Sequence, residues 1–428
     1  MRHFARGLVF VLCLLLICRP AGAYSLLTHE QLIDLTWQSS IVPLLRSRYP
    51  NLTPEQLLQA RSYAYAGCVV QDIGYYPFGD QFYSDLTHYV RTGDFVVHLF
   101  RDAKNANELA FAIGALSHYI GDNIGHSQAT NLAVAVEFPK LQAKYGPVVT
   151  YGEGEHQHVQ TEFAFDINEI AHRRFAPVHY LRHVGLNVPT KQLATAFYDT
   201  YGLSEDFSQA RFRRINVRGF RFAVRSFIPR IAYAVTLLHR NHMPADSGSP
   251  DEQKLTAEAM QVAAENNWDQ YRKKAGIGTY TLAGIIYIVP KIGPLKLVAI
   301  KGPTSATEED YVRSVNQSVD ALRSALGRFG QPRQSLPNRD LDTGAPVVPG
   351  SYRLTDDTYF SLLRRLVADP KHTVPPGLKA DIEHYYADPA APIRTKKNPQ
   401  QWAQVQAGLA TLKTMPVSKQ PIVTETDE

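Results

Sequence analysis

Cysteine is scarce in this chain, with three among 428 residues. Cys13 and Cys18 fall in an N-terminal segment that reads as an export signal, so the processed chain keeps Cys68 alone and no internal disulfide can staple it. A charge excess of one sign is lacking too. The formal charge of +5 includes Arg2, Arg6 and Arg19 against no acid in the first 23 residues, and their removal leaves +2. That balance gives no electrostatic case for a dedicated nucleic-acid binder, whose signature is a clustered basic excess. Strand-like alternation of apolar and polar residues is hard to find, as are repeats and low-complexity tracts. No uninterrupted apolar run reaches the roughly 20 residues needed to cross a bilayer, which argues against an integral membrane span.

What is present begins with the leader itself. MRHFAR, the apolar run GLVFVLCLLLIC and the small-residue site Ala21-Gly22-Ala23 predict a signal peptide over 1–23, cleaved before Tyr24, and so a secreted or periplasmic protein. The full chain is 44% hydrophobic and 11% aromatic, enough for a sizeable core. Helical punctuation dominates it. Thr53-Pro54-Glu55-Gln56 combines a cap, a proline at the first helical position and a glutamine at the third. Residues 107–126, 159–176 and 210–239 carry apolar side chains at helical spacing. The expected fold is therefore all-α, a multi-helix bundle over 24–245. The polar stretch 244–250 marks a boundary, followed by a helical extension over 246–328. Within it, Leu282 to Ile300 is strongly apolar but broken by Pro290, Lys291, Pro294 and Lys296; it reads either as core or as a surface that touches lipid. A Pro/Gly-rich linker is expected over 329–351 and short helices over 352–428, with a frayed tail.

Histidine is distributed unevenly. Fourteen remain after processing, and twelve of them lie between 24 and 242. The strongest constellation is GALSHYIGDNIGHS, in which His118, Asp122 and His126 recur every fourth residue. Each four-residue step advances about 40° around a helix, so the three side chains share one broad face where imidazole and carboxylate can grip divalent cations. His158 and Glu162 repeat the spacing downstream, with Asp166 continuing the series. His156 lacks a carboxylate four residues on, which favours His158. Upstream lie His29, Asp72 in VVQDIGYYPFG and His88 in SDLTHYV, and the neighbouring aromatics Tyr75, Tyr76, Phe78 and Tyr89 are candidate pocket walls.

The order Tyr24, His29, Asp72, His88, His118-x-x-x-Asp122-x-x-x-His126, His158-x-x-x-Glu162 resembles the zinc-dependent phospholipase C family, whose helical fold is shared with single-strand-specific zinc nucleases. The resemblance spans about 24–245 and implies three zinc ions. One would be held by Asp72, His88, His118 and Asp122; a second by the freed amine and carbonyl of Tyr24 with His29 and Asp122; a third by His126, His158 and Glu162. Two features depart from the family's best-known members: Tyr24 stands where they begin with Trp, and the Asp122-to-His126 spacing is four where theirs is six. The shorter spacing resembles the glycosylphosphatidylinositol-specific phospholipase D branch. The implied activity is phosphodiester hydrolysis on phospholipid head groups, with Asp72 as the proton acceptor as well as a ligand. A zinc nuclease and a non-catalytic zinc-binding secreted protein are the alternative readings. The head group and the oligomeric state are not legible.

Overall fold

In the computed structural model, the described residues are 25–76, 79–205, 207, 217–239, 243–274, 276–290, 300, 302–328 and 335–418. The signal segment, Tyr24 and Phe78 lie outside them, as do residues 291–299 of the apolar segment. The Thr53 hydroxyl accepts from the Gln56 amide at 3.3 Å and the Gln56 side chain accepts from the Thr53 amide at 2.9 Å, so the capping box read from four letters starts the helix Pro54–Gly67.

The longer helices, in chain order, are α1 Leu26–Thr36, α2 Pro54–Gly67, α3 Gln81–Tyr89, α4 Thr92–Asp102, α5 Ala106–Gly125, α6 Glu155–Ala171 and α7 Thr190–Tyr201. They continue with α8 Ile228–His239, α9 Pro250–Glu265, α10 Ile277–Ile288, α11 Ser305–Gly327, α12 Arg353–Val367, α13 Pro376–Tyr385 and α14 Pro399–Thr414. Among the described residues there is no strand, only the isolated bridges Arg339↔Pro346 and Val374↔Val417, and the fold is all-α. None of the helices is long and apolar enough to cross a membrane.

The central element is α5, which packs against α1, α2, α4 and α11. Its crossing with α2 is unusually close. A Cβ on Gly114 would lie 2.3 Å from the Ala64 carbonyl oxygen, and one on Gly67 would lie 2.1 Å from that of Phe111, so only glycine lets the two backbones meet. Beyond Gly125 the chain widens into an i→i+5 turn, His126–Thr130, before helix Asn131–Glu137. Such turns interrupt helices most often at functional positions.

One expected helix ends early. Residues 159–176 read as one helix, yet α6 stops at Ala171, because Arg173 takes a left-handed backbone (φ 62°) that turns Arg174 back onto Glu169. A left-handed residue also follows α9, which ends at Glu265, with Asn267 at φ 51°. Buried apolar side chains from Leu26 to Met415 form the main core, beside a small separate cluster of Val134, Ala135 and Val149. The stretch 335–351, expected as a linker, has irregular backbone and packs against α3, α4 and α5: Leu341 donates its amide to the His88 carbonyl at 3.0 Å, and Tyr119 donates its hydroxyl to the Pro337 carbonyl at 2.6 Å.

Candidate metal centre

The tautomers of two histidines are dictated by main-chain carbonyls. His118 Nδ1 lies 2.9 Å from the Cys68 carbonyl oxygen and His88 Nδ1 lies 2.7 Å from that of Ser84. A carbonyl only accepts, so each Nδ1 carries the hydrogen and each Nε2 is left with its lone pair. These two Nε2 atoms face each other at 3.4 Å. Carboxylates surround them: His118 Nε2 is 3.1 Å from Asp122 Oδ2, and His88 Nε2 is 3.3 Å from Asp72 Oδ1 and 3.5 Å from Asp122 Oδ2. On the other side His29 Nε2 is 3.2 Å from Asp122 Oδ1, with its ring stacked on His118 at 4.2 Å. His29, His88, His118 and Asp122 are wholly buried and Asp72 nearly so.

Lone pairs and carboxylate oxygens converging in a buried space repel unless something positive sits among them. Without an ion, protons take that role. Burial works against a charged imidazole, but Asp122 and Asp72 outweigh it and hold the His88 pKa well above its ordinary value and that of His118 above it. Burial is likewise outweighed at Asp122, which His118, His29 and His88 hold well below the carboxylate range. His29 moves the other way, lowered by burial and by His118. The ligand atoms of His29, His118 and Asp122 lie within 4.8 Å of one another, as do those of Asp72, His88 and His118. Imidazole nitrogen and carboxylate oxygen, with outward-facing N–H groups anchored on carbonyls, form the donor set that zinc takes. The residues fit the ion.

The third set is assembled differently. His158 Nε2 donates to the Val149 carbonyl at 2.8 Å, which leaves the Nδ1 lone pair facing Glu162 Oε1 at 3.3 Å. Burial, then His126, lowers the His158 pKa to about 3, while burial raises that of Glu162 well above its ordinary value. The His126 ring stacks on His158 at 5.4 Å, and neither of its buried nitrogens has a hydrogen-bond partner. The three do not join the groups whose ligand atoms lie within 4.8 Å.

A further group, His172, Asp246 and Glu308, meets the same distance criterion. There the positive charge is already supplied, since Arg174 reaches Asp246 at 3.1 Å, Glu308 at 3.2 Å and Glu169 at 2.6 Å. This cluster is an ion network tying the end of α6 to residue 246 and α11.

Around the first centre, the Tyr75 ring sits 5.5 Å from His88 and its hydroxyl donates to Asp85 at 3.2 Å. Tyr89 donates to Asp342 at 2.9 Å, and Tyr76 packs on Phe220 instead. Asp166, the continuation of the His158 series, accepts from the Leu27 and Thr28 amides and the Thr28 hydroxyl at 3.1, 3.2 and 2.8 Å. It thus caps α1, the helix that carries His29. Sequence reasoning missed Asp342, nearly fully buried, which accepts from Tyr89 and from Tyr352 at 2.6 Å and whose Oδ1 has no hydrogen-bond partner. Nothing in its surroundings, Asp340-Leu341-Asp342, marks it.

Comparison with known families points the same way as this geometry. Residues 28–205 match the zinc dependent phospholipase C family. The match covers about two fifths of the chain and includes His29, Asp72, His88, His118, Asp122, His126, His158 and Glu162. No curated protein and no solved structure was found to match. The phospholipase C match supports a zinc phosphodiesterase, and the His/Asp groups described above are its candidate metal-binding positions.

Proposed function

We propose that the protein is a secreted or periplasmic hydrolase of phospholipid phosphodiesters, cleaving in the manner of a phospholipase C, with 24–245 as its catalytic domain and 246–428 as an additional helical region. The carrying observation is the convergence of His88 Nε2, His118 Nε2, Asp72 and Asp122 in a buried space, with both Nδ1 atoms committed to carbonyls. Three zinc ions are proposed: one held by Asp72, His88, His118 and Asp122, one by Tyr24, His29 and Asp122, and one by His126, His158 and Glu162. Zinc in such a site acidifies water near neutral pH and offsets the charge that builds on the phosphoryl oxygens.

The remaining work falls to the chain. Asp72 Oδ1, 3.3 Å from His88 Nε2, would take the proton released as water adds to phosphorus. The bond from phosphorus to the leaving alcohol breaks, and the alkoxide recovers a proton. Asp122, within 3.5 Å of His29, His88 and His118, holds their rings toward one point. Tyr75, packed on His88, and Tyr89, tied to Asp342, wall the centre and restrict water. Signal cleavage before Tyr24 would free the amine that completes the His29 set.

The test is metal analysis of processed protein, followed by turnover of a chromogenic choline phosphodiester beside single-stranded DNA. Close to three zincs and hydrolysis of the choline ester are expected. DNA as the only substrate would replace this reading with a nuclease, and one zinc or none would end the trinuclear proposal.

A further inference from the structure

Residues 270–307 contain no acidic side chain and six basic ones: Arg272, Lys273, Lys274, Lys291, Lys296 and Lys301. At the centre of this stretch lies α10. Ala283 and Ile286 are buried where the helix packs against α8. Beside Thr279 and Thr281, its outer surface carries large apolar side chains, with Ile277, Tyr280, Tyr287 and Ile288 exposed by 87, 60, 76 and 78%. A surface helix normally turns polar residues outward, so large apolar side chains at both ends of this one point to a contact.

The neighbouring surface is basic. Arg225 donates to the Arg182 carbonyl at 2.8 Å, which draws the two guanidinium-bearing segments together. Partial burial and then Arg230 and Arg225 lower the Arg182 pKa, and His179 is lowered by slight burial and then by Lys273, Arg182 and Arg230. Arg182, Arg225, Arg230 and Lys273 therefore share one neighbourhood, and no acidic side chain is among those influences. Arg230 sits on α8, the helix against which α10 packs, and Lys273 precedes α10 by four residues. Arg230 and Lys273 thus lie on or just before the elements that form the apolar face, while Asp269, the nearest acid in sequence, is paired with Arg272 at 3.3 Å and Arg173 at 3.5 Å.

We propose that α10 and the basic cluster form a docking surface for an anionic lipid bilayer. Twelve residues of helix are about 18 Å long, too short to cross a bilayer and suited to lying in its interface. Isoleucines and tyrosines enter the boundary between head groups and chains, while arginines and lysines meet lipid phosphates at its edge. A two-fold dimer through the same face would set these bases against their own copies, which disfavours a second chain as the occupant. The α8 helix links this surface to the metal centre, because it also packs against α6, which carries His158 and Glu162. The proposal goes beyond the hydrolase reading and stands on separate residues.

Co-sedimentation with phosphatidylcholine vesicles, with and without phosphatidylglycerol, tests it. The processed protein should pellet with the anionic vesicles and be released by salt. Ile277→Glu with Ile288→Glu, and separately Arg225→Glu with Arg230→Glu, should each lower partitioning by about tenfold or more. Thermal melting and turnover of a water-soluble phosphodiester should stay at the wild-type level in both. The proposal is overturned by a wild-type protein that stays in the supernatant or by variants that pellet equally well. It is also overturned by light scattering that shows a dimer which the variants dissolve. Vesicle binding by a protein inactive on every phosphodiester would support this surface while removing the hydrolase reading.

Discussion

The main-chain carbonyl of Cys68 lies 2.9 Å from Nδ1 of His118, and the helix crossing that puts it there depends on Gly67 and Gly114. The position of one imidazole is thereby coupled to the absence of two Cβ atoms.

Gly114→Ala should uncouple them. Its new Cβ would meet the Ala64 carbonyl at 2.3 Å and the Cys68 amide at 2.7 Å, so α2 must back away. We expect a stability loss of about 1–3 kcal/mol by chemical denaturation, together with a lower zinc-to-protein ratio. Native stability and full metal content in the variant would contradict the coupling.

Asp122 faces three histidines, so Asp122→Asn removes the charge that they share. Zinc content should fall and turnover should drop by about a hundredfold or more, with the circular dichroism of the fold retained. Undiminished zinc would rule Asp122 out as a shared ligand.

Arg174, almost fully buried, is bonded to Glu169, Asp246, Glu252 and Glu308. Arg174→Met leaves Glu169 buried and without its cation, and we expect a loss of about 3–5 kcal/mol in urea unfolding. Addition of zinc should not restore it. Rescue by the metal would instead identify His172, Asp246 and Glu308 as a cation site.

Asp340 is pushed up to about 8 by burial and by Asp342. A carboxyl whose pKa is raised on folding binds its proton more tightly in the native state, so its contribution to stability is greatest near pH 4 and declines as pH rises to 8. Asp340→Asn stays neutral throughout. The variant should therefore gain on the wild type as pH rises, by about 1 kcal/mol or more at pH 8 relative to pH 5, and a pH-independent difference would disprove the shift.

Local features were the legible part. The Thr53 capping box and the shared face of His118 and Asp122 follow from spacings of three and four residues, and the helix dictates the outcome. Asp166 shows where that logic stops: periodicity aligned it with His158 and Glu162, but its oxygens serve the amides of α1, 138 and 139 residues away. The residue 335–351 stretch left no periodic signal, because irregular backbone binds through individual carbonyls and amides. Tyr89 and Asp342 meet across 253 residues, a pairing that only the packed chain creates. The third histidine set was equally readable as a pattern: His126 still donates its amide to the Asp122 carbonyl in the α5 register, and the i→i+5 turn begins only there.

Six groups, His29, His88, His118, Asp122, His126 and His158, have no solvent exposure at all. Ions held by these groups would face ligands that the packed helices keep in place, so an ion that starts to leave is readily recaptured. Chelators should then strip the protein at a rate that stops rising with chelator concentration, and that plateau would time the ion's own departure from its ligands.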